Sequence, residues 1–580
     1  MTTTSAVQYV VDAAARGPHR PALWVDGESF TYRQLMAHAH RLARELRDVA
    51  GPVCATLGER SLTAYCAPLA CMLAGKIHVP LGASFPQARM LDILQRTAPV
   101  CVIADTANTD VAQALLDALE AAPGQATRPV LIVPDAWYAA DEGSGGTGED
   151  DAANTPGTFA EPDAHPAAVA ATASPDARRP EAATIADTVS GLPVSDDAIA
   201  YVLFTSGSTG RPKGVAVGHA ALRAYVETVL ARYPELDAQQ RCTQFFEPTF
   251  DLSMHDMFVT WAAGACLYSV PKSALLMPTD FVNAHRLTVW FSVPSLAATL
   301  QRYRLLGQDT FPTLRLALFC GEALPGPLAD AWRMAAPHAR CENIYGPTEA
   351  TIACTGHPFG STDAPHAVVP IGTAFAGMEI AVVDAEGTPC ARGTDGELWL
   401  GGRQLAFGYW QDAKQTDERF VENTLPGHAA TRWYRTGDLA RIDTEGTAHY
   451  RGRLDRQIKL RGYRIELQEI EAHLRTACAA RTAPAEVAVV AIAPGPGEPA
   501  TGIAAFVVQD GFDAGATLAT MKQRVPAYMV PDQIHALETL PLNSNGKIDY
   551  PALAAHVRST PATPRRRRRP DTTTTSEAPQ

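Results

Sequence analysis

Residues 204–214 read FTSGSTGRPKG, and this stretch constrains the fold more than any other. Before it lies the apolar run IAYVLF (199–204) and after it GVAVGH (214–219), both strand-like; the helical pattern AALRAYVETVLARY begins only later. The spacing therefore predicts a strand–loop–strand hairpin. A Walker A loop needs G-x-x-x-x-G-K-[ST] between a strand and a helix, whereas here Lys213 follows Gly210 by three positions, behind Pro212 and before Gly214. The chemistry of the loop is nonetheless that of a phosphate cradle. Gly207 and Gly210 let backbone N–H groups crowd an anion, Thr205, Ser206, Ser208 and Thr209 offer hydroxyls, and Lys213 adds a positive charge.

The surroundings predict an α/β protein. Helical periodicity at 32–49 alternates with apolar runs at 99–105 and 129–135, and the loop opens a second α/β stretch. Beyond about residue 395 the texture changes to short strands and turns, then to a smaller α+β end domain with helices near 467–476 and 516–525 and strands at 486–492 and 503–508. The segment 139–195, dominated by Ala, Gly, Pro, Ser, Thr and Asp, lacks bulky apolar periodicity and is expected to be a disordered insert.

With 580 residues, 46% of them apolar and 19% charged, a large core forms without staples. A net charge of −13 argues against a nucleic-acid surface, and the run RRRRR at 565–569 reads as part of a disordered basic tail from 556 to 580. The N-terminal residues lack the pattern of a secretory signal, and AYCAPLACMLAG (64–75) is too short to span a bilayer, so no membrane anchor is expected. Eleven cysteines without metal or disulfide spacing suit a reduced, cytoplasmic protein.

Motifs then accumulate in order: FTYRQL (30–35), GKIHVPLGASFP (75–86), LFTSGSTGRPKGV (203–215), FDLS (250–253), NIYGPTEAT (343–351), GELWLGG (396–402), YRTGDLAR (434–441), GRLDRQIKLRGYRIEL (452–467) and NSNGKID (543–549). In this series the chain resembles the adenylate-forming enzymes, and within them the amino-acid-activating branch. The resemblance implies a large layered α/β N-terminal domain (1–454) and a small mobile α+β C-terminal domain (455–555). It also implies a two-step reaction: a carboxylate attacks the α-phosphate of Mg·ATP and expels pyrophosphate, then a thiol attacks the acyl-adenylate.

Carried onto matching positions, the resemblance makes Lys547 the catalytic lysine bridging carboxylate and α-phosphate, Thr348 a donor to that phosphate, and Glu349 the Mg²⁺ ligand. Tyr345 and Asn343 would hold adenine, Asp438 the ribose diol, Arg453 the ribose or phosphates, and Asp455 would be the hinge. Asp251 would pair with a substrate ammonium in a pocket lined by Leu252, His255, Phe291, Leu318, Cys320, Ile344, Ile352 and Ala353. A helix-capping role for Asp251 or Ser253 stands beside that reading.

Leu252 and Cys320 look most like the D-alanine:carrier-protein ligases, so a small amino acid is expected, alanine first, with serine or a β-amino acid behind; His255 departs from that pattern, and a satisfied helix histidine outside the pocket is the alternative reading of it. Because only the tail follows KIDYPAL (547–553), the expected partner is a separate phosphopantetheinylated carrier protein. The rival readings are an acyl- or aryl-CoA ligase, which Asp251 opposes, and a catalytically idle protein that binds a nucleotide or a carrier.

Overall fold

The computed structural model describes residues 2–3, 5–121, 128–135, 137, 194–195, 197–207, 210–360, 368–478, 485–493, 500–509, 511–543 and 547–559. Most of the expected insert (139–193), the arginine run and the loop residues Ser208 and Thr209 lie outside these. Two borders of the expected segments differ from the sequence reading. Val194–Ser195 forms a short strand beside Thr2–Thr3, and the helix Tyr550–Ser559 carries the ordered chain past 555, because Leu553 and Val557 pack under the last sheet.

Two large sheets form the N-terminal part. One has seven strands, ordered Gly408–Tyr409, Lys213–Gly218, Ile199–Thr205, Ile77–Leu81, Val53–Leu57, Cys101–Ala104 and Val130–Ile132. The other has nine, with Arg340–Tyr345, Leu316–Phe319, Val289–Ser292, Arg241–Gln244 and Cys266–Ser269 adjacent and parallel through its middle. The apolar alternation at 32–49 becomes the helix Tyr32–Asp48, started by a capping box between Thr31 and Gln34. The run at 64–75 becomes Leu62–Leu73, buried on every side from Thr63 onward and packed on that helix; all-round apolarity here marks a core helix. Among the described residues no helix is long and apolar enough to cross a membrane.

The strands around the loop form the expected hairpin, antiparallel from Thr205 opposite Lys213. A five-stranded antiparallel unit follows, with Arg432–Ile442 between Asp395–Gly402 and Ala448–Arg453. Beyond Arg453 the small C-terminal domain consists of the hairpin Gln457–Leu460/Tyr463–Glu466, the helices Leu467–Cys478 and Ala514–Arg524, and the sheet Glu486–Ile492, Gly502–Val508, Gln533–Ala536. The protein is thus a large layered α/β domain with a small α+β domain behind it.

Parallel strands place their carboxyl ends on one edge, where connecting loops gather. Phe245–Phe250 follows Arg241–Gln244, Cys320–Glu322 follows Leu316–Phe319, and Gly346–Thr348 follows Arg340–Tyr345; the loop at Ser206 leaves the carboxyl end of Ile199–Thr205 in the other sheet. These segments converge on one cleft.

Candidate active site

The cleft encloses about 890 Å³ of empty space, part of it open to solvent. Thr205, Ser206, Asp251, Leu252, Cys320, Thr348, Asp438 and Arg453 line it. A neighbouring cleft of about 1020 Å³ is lined by Asn343, Ile344 and Tyr345 and shares Arg453, Gln457 and Lys459 with the first. Residues as far apart in the chain as Thr205 and Arg453 are therefore brought together, as the motifs suggested.

The phosphate loop needs its glycine at 207, since a Cβ there would sit 2.0 Å from the Arg211 carbonyl oxygen. Gly210 adopts φ +81° and packs against Ala472 of the small domain. Lys213 departs from expectation. It is buried at the start of its strand, and its Nζ contacts Glu349 Oε1 at 3.1 Å and the Tyr409 hydroxyl at 3.2 Å, so in this arrangement its charge serves Glu349. Burial, then the Arg464 charge, lower the Lys213 ammonium to about 8, against the opposing pull of Glu349.

Glu349 is fully buried. Burial by itself would raise its carboxyl, but Arg464 and Lys213 hold it well below the usual carboxylate range. Tyr409 donates to its Oε1 at 2.8 Å and Arg464 Nη1 to its Oε2 at 2.7 Å. An ionised hard-oxygen donor fits Mg²⁺. Both oxygens are already engaged by cations, however, and Arg464 belongs to the small domain, so room for the ion depends on Arg464 leaving.

In the neighbouring cleft Asn343 donates through Nδ2 to the Pro370 carbonyl at 2.9 Å, while its buried Oδ1 has no partner among the described residues. An orphaned acceptor of this kind suits an amino group such as that of adenine. Tyr345 offers its ring, and its hydroxyl donates to Asp438; burial, then the Asp438 charge, raise that phenol well above its ordinary value. Arg453 links Asp438 to Asp455, donating to Asp455 at 2.6 and 2.7 Å.

Asp251 opens the helix Asp251–Met254 and lies half-buried on the cleft wall. The capping alternative is not realised: Phe250 is the N-cap, without a side-chain cap bond. Burial raises the Asp251 carboxyl to about 6, against the opposing hydrogen bond from Thr348 and the charge of Lys459. The helix continues through a π turn, His255–Val259. His255 bonds Tyr225 through Nδ1 at 2.7 Å and rests on Phe291 with centroids 4.2 Å apart; burial lowers it to about 3, hence it is neutral. With Phe291, Leu318, Ile352 and Ala353, all buried, it forms packed core that lines neither cleft. Of the expected pocket residues, then, Asp251, Leu252 and Cys320 line this cleft, Ile344 lines the neighbouring one, and the others are buried in the core.

Lys547 is the clearest difference from the sequence reading. It is exposed in the turn bridged by Leu542 and Ile548, its amide donating to Asn543 Oδ1 at 3.0 Å, and it does not line the cleft. The small domain instead presents its hairpin there: Gln457, Lys459, Gly462, Tyr463 and Arg464 line the cleft. The turn has φ +54° at Arg461 and +82° at Gly462, the two positive values of a tight two-residue hairpin. Gly462 donates its N–H to Glu322 Oε1 at 2.7 Å, and a Cβ at 462 would lie 2.7 Å from Val293 Cγ1. Lys459 and Arg464 lie within GRLDRQIKLRGYRIEL, and the sequence alone assigns neither a role. Nothing local marks them, because their partners Tyr345 and Glu349 are more than a hundred residues away.

The family model of the AMP-binding enzymes matches residues 10–410, and this chain belongs to that family, the adenylate-forming superfamily. The chain is 30% identical over 573 residues to a D-alanine–D-alanyl carrier protein ligase of Lactiplantibacillus plantarum, covering 94% of this chain and 97% of that one. It is 32% identical over 568 residues to the phosphinothricin tripeptide synthetase PhsC of Streptomyces viridochromogenes, covering 93% of this chain but 44% of that protein; it spans less than half the length of that relative. Among solved structures it is similar to the Vibrio cholerae adenylation domain AlmE in complex with glycyl-adenosine-5'-phosphate, with 30% identity, a TM-score of 0.78, and 97% and 99% of the two chains covered.

Proposed function

We propose that the protein activates a small amino acid, alanine-sized, as its aminoacyl-adenylate with ATP and transfers it to the phosphopantetheine thiol of a carrier protein. The observation that carries this reading is Asp251, a half-buried carboxylate on the wall of a cleft that the buried side chains Leu252 and Cys320 also line. A carboxylate so placed rewards a ligand that brings its own cation and a short side chain, and it disfavours plain acids. The similarity to a D-alanyl carrier protein ligase and to an adenylation domain holding a glycyl adenylate supports the same size class. Eleven free cysteines suit the reducing cytoplasm, where ATP is also supplied.

In the first step the amino acid, held through its ammonium by Asp251, turns its carboxylate toward the α-phosphorus. The new O–P bond forms as the bond to the β-phosphate breaks and pyrophosphate departs. Asn343, Tyr345 and Asp438 orient the nucleoside, and the loop donors at Ser206 and Gly207 hold the departing phosphates. Glu349 would hold Mg²⁺, which when bound neutralises phosphate charge. Lys547 acts here, and to do so the small domain must turn about Asp455 from the position described above. In the second step the hairpin occupies the cleft, the thiol loses its proton to solvent, sulfur attacks the carbonyl carbon and AMP leaves.

The test is amino-acid-dependent ATP–pyrophosphate exchange across D- and L-alanine, serine, glycine, β-alanine, larger amino acids and plain acids. Exchange with a small amino acid, abolished in Lys547→Ala, supports the reading. Exchange with aryl or fatty acids alone would transfer the chain to the acyl-CoA ligases, and nucleotide binding without any exchange would make it an idle binder.

A further inference from the structure

Among the described residues, three hydrogen bonds join the phosphate loop to the small domain. The Ser206 hydroxyl donates to the Arg464 carbonyl at 2.7 Å and accepts the Glu466 N–H at 3.2 Å, while the Gly207 N–H donates to Glu469 Oε2 at 3.0 Å. The other oxygen of Glu469 takes Arg89 Nη1 at 2.9 Å, and the two side chains are 0% and 4% exposed. Burial raises the Glu469 carboxyl, and the Arg89 guanidinium and the Gly207 amide oppose it. A buried charge is tolerated when it is paired and hydrogen-bonded, as Glu469 is with one partner on each oxygen. An anionic oxygen from the helix Leu467–Cys478 therefore sits on a backbone donor that the loop's composition suits to a phosphate oxygen.

We propose that Glu469 is a built-in substitute for a pyrophosphate oxygen, so that pyrophosphate and the docked small domain compete for the phosphate loop, with Glu469 a positioning residue for the transfer step. This rests on the reading that the loop holds the departing phosphates. Two anions cannot share the Gly207 N–H, and the Ser206 hydroxyl is likewise committed. Pyrophosphate binds the undocked arrangement and shifts the population toward it; by reciprocity, docking expels pyrophosphate. The hairpin thus enters the cleft only once the first product has left, and the order of the half-reactions is set by one shared donor group. Glu349 reinforces the order, because its Oε2 carries Arg464 in the docked arrangement.

The experiment uses the full chain saturated with AMP, which cannot react with pyrophosphate and requires no knowledge of the amino acid. Hydrogen exchange is followed in the hairpin, residues 457–466, while inorganic pyrophosphate is added, with sodium chloride of equal ionic strength as the control. The expected result is that pyrophosphate accelerates hairpin exchange by about fivefold or more and chloride does not. In Glu469→Gln the hairpin exchanges faster without pyrophosphate, and the midpoint of the titration falls by about tenfold. Because that variant leaves Arg89 unpaired, the double variant Arg89→Met, Glu469→Gln is measured beside it and shows the same lowered midpoint. Hairpin exchange indifferent to pyrophosphate in the unaltered protein overturns the proposal, as does an unchanged midpoint in both variants. A wrong amino-acid assignment shows instead in the exchange assay with substrates and leaves this experiment untouched.

Discussion

Replacing Asp251 with asparagine should separate the proposed recognition of a substrate ammonium from the other proposed roles of the cleft. A carboxylate and an ammonium about 4 Å apart at an effective dielectric near 20 attract by roughly 4 kcal/mol. One side of Asp251 is open to solvent, which discounts the contact to about 2–3 kcal/mol, or about 30- to 150-fold in the amino acid KM. The contact exists only while Asp251 is ionised, and burial raises that carboxyl to about 6. In the unaltered enzyme kcat/KM for the amino acid should therefore be flat above pH 7 and fall about tenfold per unit below pH 6. In Asp251→Asn it should be low and flat through the same window. The assay is ATP–pyrophosphate exchange with the amino acid varied at pH 5 to 8.

The same substitution has a consequence for stability with a definite sign. A carboxyl raised by folding destabilises the folded state when it ionises, so its contribution is intact below its unfolded value near 3.8 and lost as pH rises through about 6. Asp251→Asn should thus raise the Tm of the ligand-free protein at pH 8 and leave it unchanged near pH 3.5. An asparagine variant with unaltered KM and an unaltered pH profile would refute ammonium recognition at this position.

Lys547→Ala should lower exchange by roughly a thousandfold, the value of one cation–anion contact of about 4 kcal/mol, with Tm unchanged because the side chain is exposed; transfer from preformed aminoacyl-adenylate, measured by carrier loading, should persist. Gly462→Ala should do the opposite. The added Cβ meets Val293 at 2.7 Å with φ at +82°, so the hairpin cannot seat, and carrier loading should fall at least about tenfold while exchange is retained. Trp332→Ala should destabilise the large domain by about 3–5 kcal/mol in denaturant titration, since that ring is fully buried among Trp290, Phe311 and Phe319.

Much of the architecture was legible because its signals are local. The strand–loop–strand reading at 199–219 follows from two apolar runs around a glycine-rich loop, and it holds as the antiparallel pair Ile199–Thr205 and Lys213–Gly218. Two helices and two strands of the small domain were likewise placed within a few residues, because an amphipathic helix or a half-buried strand writes its period into adjacent residues, whereas the strand Gln533–Ala536 and the helix Tyr550–Ser559 were not. His255 was less legible: its position fitted a pocket residue or a satisfied helix histidine, and the π turn with the Tyr225 hydroxyl decides for the second. Lys213 looked like a free cation of the loop, and only its distant partners Glu349 and Tyr409 reveal an internal ion pair.

The sequence by itself determined the fold class and the family, and it named the side chains proposed to hold a nucleotide and a small amino acid, since these follow from the order of motifs along the chain. Which of those side chains meet was decided by tertiary structure. Parallel strands from two sheets bring their carboxyl ends to one edge, and the small domain sets Lys459, Arg464 and Glu469 against that edge while Lys547 faces solvent. The seating of one domain on another is a balance of a few buried ion pairs and hydrogen bonds between residues remote in sequence, and no periodicity within either partner encodes it.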